Sequence, residues 1–305
     1  MADYDVAIIG AGPAGITAGI YLARSGRKVV IIEAGAPGGQ VFVNHLIENY
    51  PGFPEPIPGA ELAERMQKQV ERLGVEIKNI PITNITKQGD GEFVLEGLST
   101  KITARAVIIA TGSTPKPLNV PGEEKLFGAG VSYCSTCDGM FFKGKDVVVV
   151  GGGNSALQGA EHLARICKTV TLIHRRDAFR GDVILVQRIK KIENIEIMTS
   201  SVVMEITGDK KANGVNVRDI KTSAVKNVRC DGVFIYIGST PQSAFVKDII
   251  ECSPAGYIKV QTDMSTSLEG LFAAGDVVEK ESRQIVTAVS DGCIAALSVD
   301  KYLSV

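Results

Sequence analysis

The 305-residue sequence predicts an α/β fold: two Rossmann-like, three-layer nucleotide-binding domains, the second inserted into the first. Three observations predict it. A strand–glycine turn–helix–strand unit occurs twice, the tetrapeptide Gly-Ser-Thr-Pro recurs at 112–115 and 238–241, and the C-terminal segment holds too few elements for a domain.

The first unit reads YDVAIIGAGPAGITAGIYLARSGRKVVIIEA. An apolar strand runs into Gly10-x-Gly12-x-x-Gly15, a helix passes through Pro13 and Ala14 to Gly26, and a second strand, Lys28–Ile32, ends at Glu33. The second unit reads KDVVVVGGGNSALQGAEHLARICKTVTLIHRRDAFR, with Gly151-x-Gly153-x-x-Ala156 at the turn, Asn154 and Ser155 opening the helix, and Thr169–Ile173 as the following strand. In such a unit the first glycine permits the tight turn and the second lets the backbone approach a pyrophosphate. The third position allows close helix–strand packing, and the helix start offers free N–H groups to the phosphates.

Each half continues alike. Residues 75–109 and 194–237 alternate as short strands, ending in AVIIATGSTP (with Thr111 and Gly112) and GVFIYIGSTP. A short meander crossing over a parallel sheet is expected in both. The tail gives one strand and a Gly275-Asp276 turn over 266–278, then one amphipathic helix over 283–303. One strand and one helix cannot bury a core of their own, so they are expected to complete the first unit. The expected domains are 1–114 with 246–305, and an insertion spanning 115–245.

The residue closing the second strand lies beside the ribose hydroxyls. In the first unit it is Glu33; the same offset from Gly151 reaches His174, followed by Arg175, Arg176 and Arg180. The first half thus offers a carboxylate to a ribose diol, and the second a basic cluster where a 2′-phosphate would lie.

CSTCDG, residues 134–139, carries the chemistry. A zinc site takes four ligands, yet there is no second CxxC, and His45, His162 and His174 are scattered; no metal is expected. A structural disulfide fits poorly in a reducing compartment and across so short a loop. A redox pair, Cys134 with Cys137, is the favoured reading. Cys167, Cys230, Cys252 and Cys293 are expected to be buried and inert. Asp138 reads either as an acid–base group serving the thiols or as a helix N-cap. With 33 basic and 34 acidic residues, nothing argues for nucleic acid or membrane as partner. The absence of a basic-then-apolar leader and of any apolar run near ~20 residues points to the cytoplasm.

Together CSTCDG, GGGNSA, HRRDAFR, GGQ…ENYPGF and TSLEGLFAAGDV…RQ…A resemble the bacterial-type, low-molecular-weight thioredoxin reductases, in order and over nearly the full chain. The resemblance implies FAD in the first half, NADPH in the second, a homodimer, and a disulfide passing electrons to thioredoxin or a thioredoxin-like protein. By position it implies that Gly12, Glu33, Gln40, Asn49 and Asp276 contact FAD, with Arg283 and Gln284 near the flavin end. Gly10, Pro13, Ala14, Gly15, Gly39, Thr111, Gly112 and Gly275 complete that set. Asn154, Ser155, Arg175, Arg176 and Arg180 are implied for NADPH, alongside Gly151, Gly153, Ala156 and His174. It also implies Cys137 on the flavin side, Cys134 in exchange with the partner, and rotation of the inserted domain about 114–118 and 240–245. The loop 34–58 is expected to cradle the isoalloxazine ring. Gln158 and Gly159 stand where many relatives carry two glutamates. Two alternatives stay open: a ferredoxin-driven relative of the same fold, and a non-catalytic flavin-binding redox sensor.

Overall fold

The computed structural model describes residues 2–42, 47–89, 91–98 and 100–304, and counts and absences below are of these residues. His45 lies outside them.

In chain order the first part holds β1 (Tyr4–Ile9), α1 (Pro13–Arg24), β2 (Val29–Glu33), α2 (Gly59–Glu71), β3 (Glu76–Asn79), β4 (Ile82–Lys87), β5 (Phe93–Gly97), β6 (Lys101–Ile109) and β7 (Ser113–Pro115). The middle part holds β8 (Val131–Ser132), α3 (Ser135–Asp138), β9 (Asp146–Gly151), α4 (Asn154–Ala164), β10 (Thr169–Ile173), α5 (Val183–Ile189) and β11 (Ile195–Met198). It continues through β12 (Ser201–Gly208), β13 (Ala212–Asp219), β14 (Val225–Arg229), β15 (Gly232–Tyr236) and β16 (Ser239–Pro241). The last part adds β17 (Leu271–Ala273) and α6 (Ile285–Leu303).

The chain forms two compact units, Met1–Thr114 with Thr240–Val305, and Pro115–Ser239. The chain re-enters the first unit at Thr240, at the start of the expected connection 240–245. The reason is local: Thr111 Oγ1 donates to the Gln242 carbonyl at 2.6 Å, the Gln242 N–H donates to the Gly112 carbonyl at 3.0 Å, and Val246 is fully buried in the first unit's core.

In the first unit the sheet runs β3-β2-β1-β6-β5-β4, with β17 also on β6. Strand β1 pairs in parallel with β2 and β6. Its residues alternate between two cores, Val6 and Ile8 on one face, Ala7 and Ile9 on the other. Covering both faces is what makes a continuous apolar run a strand rather than an alternating one. On the first face α1 meets α6, where Gly292 lets the backbones touch: a Cβ there would stand 2.2 Å from the Ala14 carbonyl oxygen.

The second unit repeats the plan in a sheet ordered β11-β10-β9-β15-β8. Val147 and Val149 pack with α4 and α5, whereas Val148 and Val150 face the antiparallel sheet β12-β13-β14. The meanders differ. In the first unit β6 is nine residues long and serves both the antiparallel pairing with β5 and the parallel one with β1. In the second, Cys230 and Asp231 interrupt the chain between β14 and β15, and the meander stands as a separate sheet.

Candidate functional site

The glycine turn of the first unit follows from its backbone. Gly10 has φ +110°, and a Cβ there would collide with the Ala110 carbonyl oxygen at 2.3 Å; a Cβ at Gly15 would stand 1.9 Å from the Gly10 oxygen. Gly12 differs, because a Cβ there would meet no protein atom within 4 Å. The Glu33 carboxylate accepts the Ala11 N–H at 2.7 Å and the Gly35 N–H at 2.9 Å, tying the end of β2 to the turn. Gly38, at φ +112°, donates to the Ala11 carbonyl at 2.8 Å, and Gly39 (φ +55°) follows close to Gly12. Gln40 is exposed. Asn49 donates to Gln284 Oε1 at 3.2 Å, while Gln284 caps α6 through a reciprocal bond with Thr287. The described parts of loop 34–58 thus join the glycine turn to the start of α6.

Gly275, at φ +80°, lies against Ala14; a Cβ on it would be 2.9 Å from that methyl. This brings Asp276 to the start of α1. Lys280 ion-pairs with Asp291 at 2.6 Å and lies 3.6 Å from Asp276, and Asp291 also accepts the Gly275 N–H at 3.1 Å. Arg283 stacks over the Tyr257 ring at 4.1 Å and donates to the Lys280 carbonyl at 3.0 Å. Two buried polar atoms are left without a hydrogen bond, Asp276 Oδ1 and Arg283 Nε. Burial pushes the Asp276 carboxyl up, outweighing the nearby Lys280 and Arg283 charges.

In the second unit Gly151 makes the same turn, closed by the Tyr236 carbonyl and the Ala156 methyl, and Gly153, like Gly12, is open. After β10 the chain folds back: the Arg180 N–H donates to the Gly152 carbonyl at 2.7 Å. Asn154 and Asp182 bond reciprocally, Nδ2 to the carboxylate at 3.0 Å and the Asp182 N–H to Oδ1 at 2.8 Å. Arg175, Arg176, Arg180 and Ser155 are exposed around this turn. His174 is not part of the cationic surface. Its ring is 4% exposed, stacks on Phe179, contacts the Ala178 carbonyl through Nε2, and fills the space beneath Gly152. Burial, with the neighbouring arginines, lowers its pKa and keeps it neutral.

Cys134 and Cys137 are joined in a disulfide across α3, both partly buried. The Cys137 N–H donates to Cys134 Sγ at 3.1 Å, so Cys134 is the N-cap of this turn. Asp138 stands at the other end of α3, where it precedes the 3-10 turn Gly139–Phe142 without a side-chain capping bond, and accepts a 2.6 Å hydrogen bond from Ser132 Oγ. Met140 and Phe141 are exposed beside the pair. The remaining cysteines are free: burial pushes Cys167 to about 11 and Cys230 to about 12. Cys252 and Cys293 are only partly buried, contrary to expectation.

Residues 4–292 match the family model of the pyridine nucleotide-disulphide oxidoreductases. The chain belongs to that family. It is 43% identical over 302 residues to the thioredoxin reductase of Mycolicibacterium smegmatis, covering 99% of this chain and 97% of the relative. The solved thioredoxin reductase of Streptococcus pyogenes MGAS5005 is 44% identical, with a TM-score of 0.93 over 99% of this chain and 98% of its own. That of Lactococcus lactis, in an FR conformation, is 43% identical, with a TM-score of 0.69 over 99% of each chain.

Family members use a flavin and a pyridine nucleotide, and the residues present fit both. The first unit supplies the open Gly12 and two orphaned buried polar atoms on Asp276 and Arg283. The second supplies the open Gly153 and exposed arginines on a loop bonded to the glycine turn. Thr111 contributes differently from the others, its hydroxyl being spent on Gln242. Sequence reasoning missed Lys280, Asp291 and Tyr257 in the first unit, and Ser132, Ser135 and Tyr236 in the second. Only the Lys280–Asp276 spacing of four residues could have signalled one of them.

Proposed function

We propose that this oxidoreductase is a thioredoxin–disulfide reductase that takes electrons from NADPH and carries FAD. The observation that carries the reading is the Cys134–Cys137 disulfide on α3, ahead of β9, in the unit whose glycine turn is lined by Arg175, Arg176 and Arg180. Guanidinium groups match the geometry of a 2′-phosphate, which supports NADPH over NADH. Bound cofactors would supply the hydride and the two-electron relay to the disulfide.

The chain's own residues do the rest. Glu33, anchored to its turn, keeps spare lone pairs on each oxygen for a ribose diol, the feature that supports the dinucleotide FAD in the first unit. Asp276 and Arg283 offer an acceptor and a donor to the flavin moiety. Cys137 faces the flavin side and Cys134 exchanges with the partner, following the family resemblance. Asp138, held by Ser132, delivers a proton to a departing thiolate and takes it back. The exposed Met140 and Phe141 give a protein partner an apolar footing beside the pair.

The pair must meet the flavin in one step and a protein in the next, so the inserted unit rotates about its two connections. Exposed Tyr21, Val286 and Leu297 on α1 and α6 support a homodimer, and four free thiols suit the reducing cytoplasm. No described helix is long and apolar enough to cross a membrane.

Anaerobic titration tests the reading. Flavin absorbance should bleach with NADPH at far lower concentration than with NADH, and thioredoxin should then be reduced. A flavin that stays oxidised with both nucleotides would sink it in favour of the ferredoxin-driven alternative.

A further inference from the structure

Strand β15 ends at Tyr236, opposite Gly151 in the parallel register. Its side chain crosses to α3, where the hydroxyl donates to Ser135 Oγ at 2.7 Å and accepts the Ser135 N–H. Ser135 is the residue between Cys134 and the rest of the turn, and is 3% exposed. Its N–H and its hydroxyl oxygen are thus both bound by one phenol. Room for the ring is made on α4: a Cβ at Gly159 would stand 2.8 Å from ring atom Cε2, 3.1 Å from Cζ and 3.3 Å from Ser135 Oγ. A glycine inside a helix is disfavoured relative to alanine, so its place beneath this ring has a physical reason.

We propose that Tyr236 is a positioning residue of the redox pair, its hydroxyl holding Ser135 so that Cys134 and Cys137 stay at bonding distance, with Gly159 providing the space. The proposal rests on the pair being the redox centre.

The chemistry gives the direction. Reduction breaks the S–S bond, takes up two protons and two electrons (from the pyridine nucleotide in turnover, from reduced dithiothreitol in the test below), and leaves two thiols. The reverse reaction depends on how often one thiol finds the other, an effective concentration set by the intervening chain. While the disulfide is closed, the covalent bond fixes the turn. Once it opens, the Tyr236–Ser135 contact does so. Burial holds the phenol's pKa up, so it remains a donor throughout the working range. Without the contact the thiols drift apart and the disulfide becomes easier to reduce.

The holoenzyme is equilibrated in graded mixtures of reduced and oxidised dithiothreitol, and the Cys134/Cys137 dithiol is counted by alkylation and mass. Tyr236→Phe and Ser135→Ala should each shift the dithiol:disulfide ratio about 10-fold toward dithiol, ~30 mV. The double variant should shift it no further than either single one. Gly159→Ala, which keeps every hydroxyl but crowds the ring, should move it the same way. Variants that titrate with the parent, or lose only thermal stability, overturn the proposal, as do single effects that simply add. A parent pair that never titrates overturns the redox-centre reading itself.

Discussion

In the first unit the strand after the glycine turn ends in a carboxylate that bonds back to the turn; in the second the residue just past the strand is an imidazole sealed beneath it. The two turns share their first two glycines and the same open second position, and differ at the third, Gly15 in one and Ala156 in the other. The larger difference begins at one residue. Glu33 stays at the surface of its turn because two backbone N–H groups satisfy it. His174, buried and neutral, passes the polar work to the three arginines after it. On the proposed function, the repeated backbone would set where a dinucleotide lies, and the side chains at the strand ends would set which one. The acids of the two units contrast too: Asp276 is buried with an orphaned oxygen, whereas Asp138 is held by Ser132 next to a disulfide.

The largest expected effects separate the basic cluster from the carboxylate. Neutral residues at both Arg175 and Arg176 should raise the apparent KM for NADPH by about 10²- to 10⁴-fold, at ~1.5–3 kcal/mol for each charge-assisted hydrogen bond. The KM for NADH should barely move. Equal losses for both nucleotides would erase the contrast drawn between the units.

Asp138→Asn should slow thioredoxin reduction about 10²-fold or more, the usual cost of a lost general acid, with flavin content intact. Since Cys134 caps α3, the stability change should be small; normal turnover with a lowered Tm would refute the proton role.

Asp276→Asn should do the reverse in the first unit. Burial raises the pKa of this carboxyl, so its charged form destabilises the folded flavin-free protein, increasingly as pH rises above the ordinary value near 3.8. Lys280 keeps Asp291 as partner when that charge goes. At neutral pH the FAD-free variant should melt higher by ~2–4 °C, or ~1 kcal/mol, and bind FAD more weakly. A lower Tm together with unchanged FAD affinity would show Asp276 to be structural.

The smallest effect belongs to His174. A lowered pKa means that its neutral form is the one the fold accepts. Its contribution is complete above the unfolded value near 6.5 and is lost as pH falls through the lower folded value. Scanning calorimetry from pH 7.5 to 5 should show the parent losing more stability than His174→Gln. Parallel curves would mean that the ring tolerates its charge.

Much of the site was legible in the chain because its motifs are local. Gly10, Gly151 and the strands that precede them need only their neighbours in sequence to specify a turn, and Cys134 and Cys137 lie three residues apart. Which side chain caps α3 was not legible, because a cap depends on where the helix starts: Cys134 Sγ holds that position, and Asp138 precedes the next turn without a capping bond. The point where the chain re-enters the first unit rests on Gln242 bonding to Gly112, a pairing between residues on either side of the inserted unit that no local pattern encodes.

The sequence by itself determined the repeat, the insertion, the redox pair and the contrast between Glu33 and the arginines, since periodicity, glycine placement and charge are properties of short segments. Tertiary structure alone decided that His174 is covered, that Lys280 stands between Asp276 and Asp291, and that Tyr236 reaches Ser135 one hundred and one residues away through a gap left by Gly159. Those outcomes depend on which side chains packing brings within a few ångströms, and separation along the chain carries no information about that.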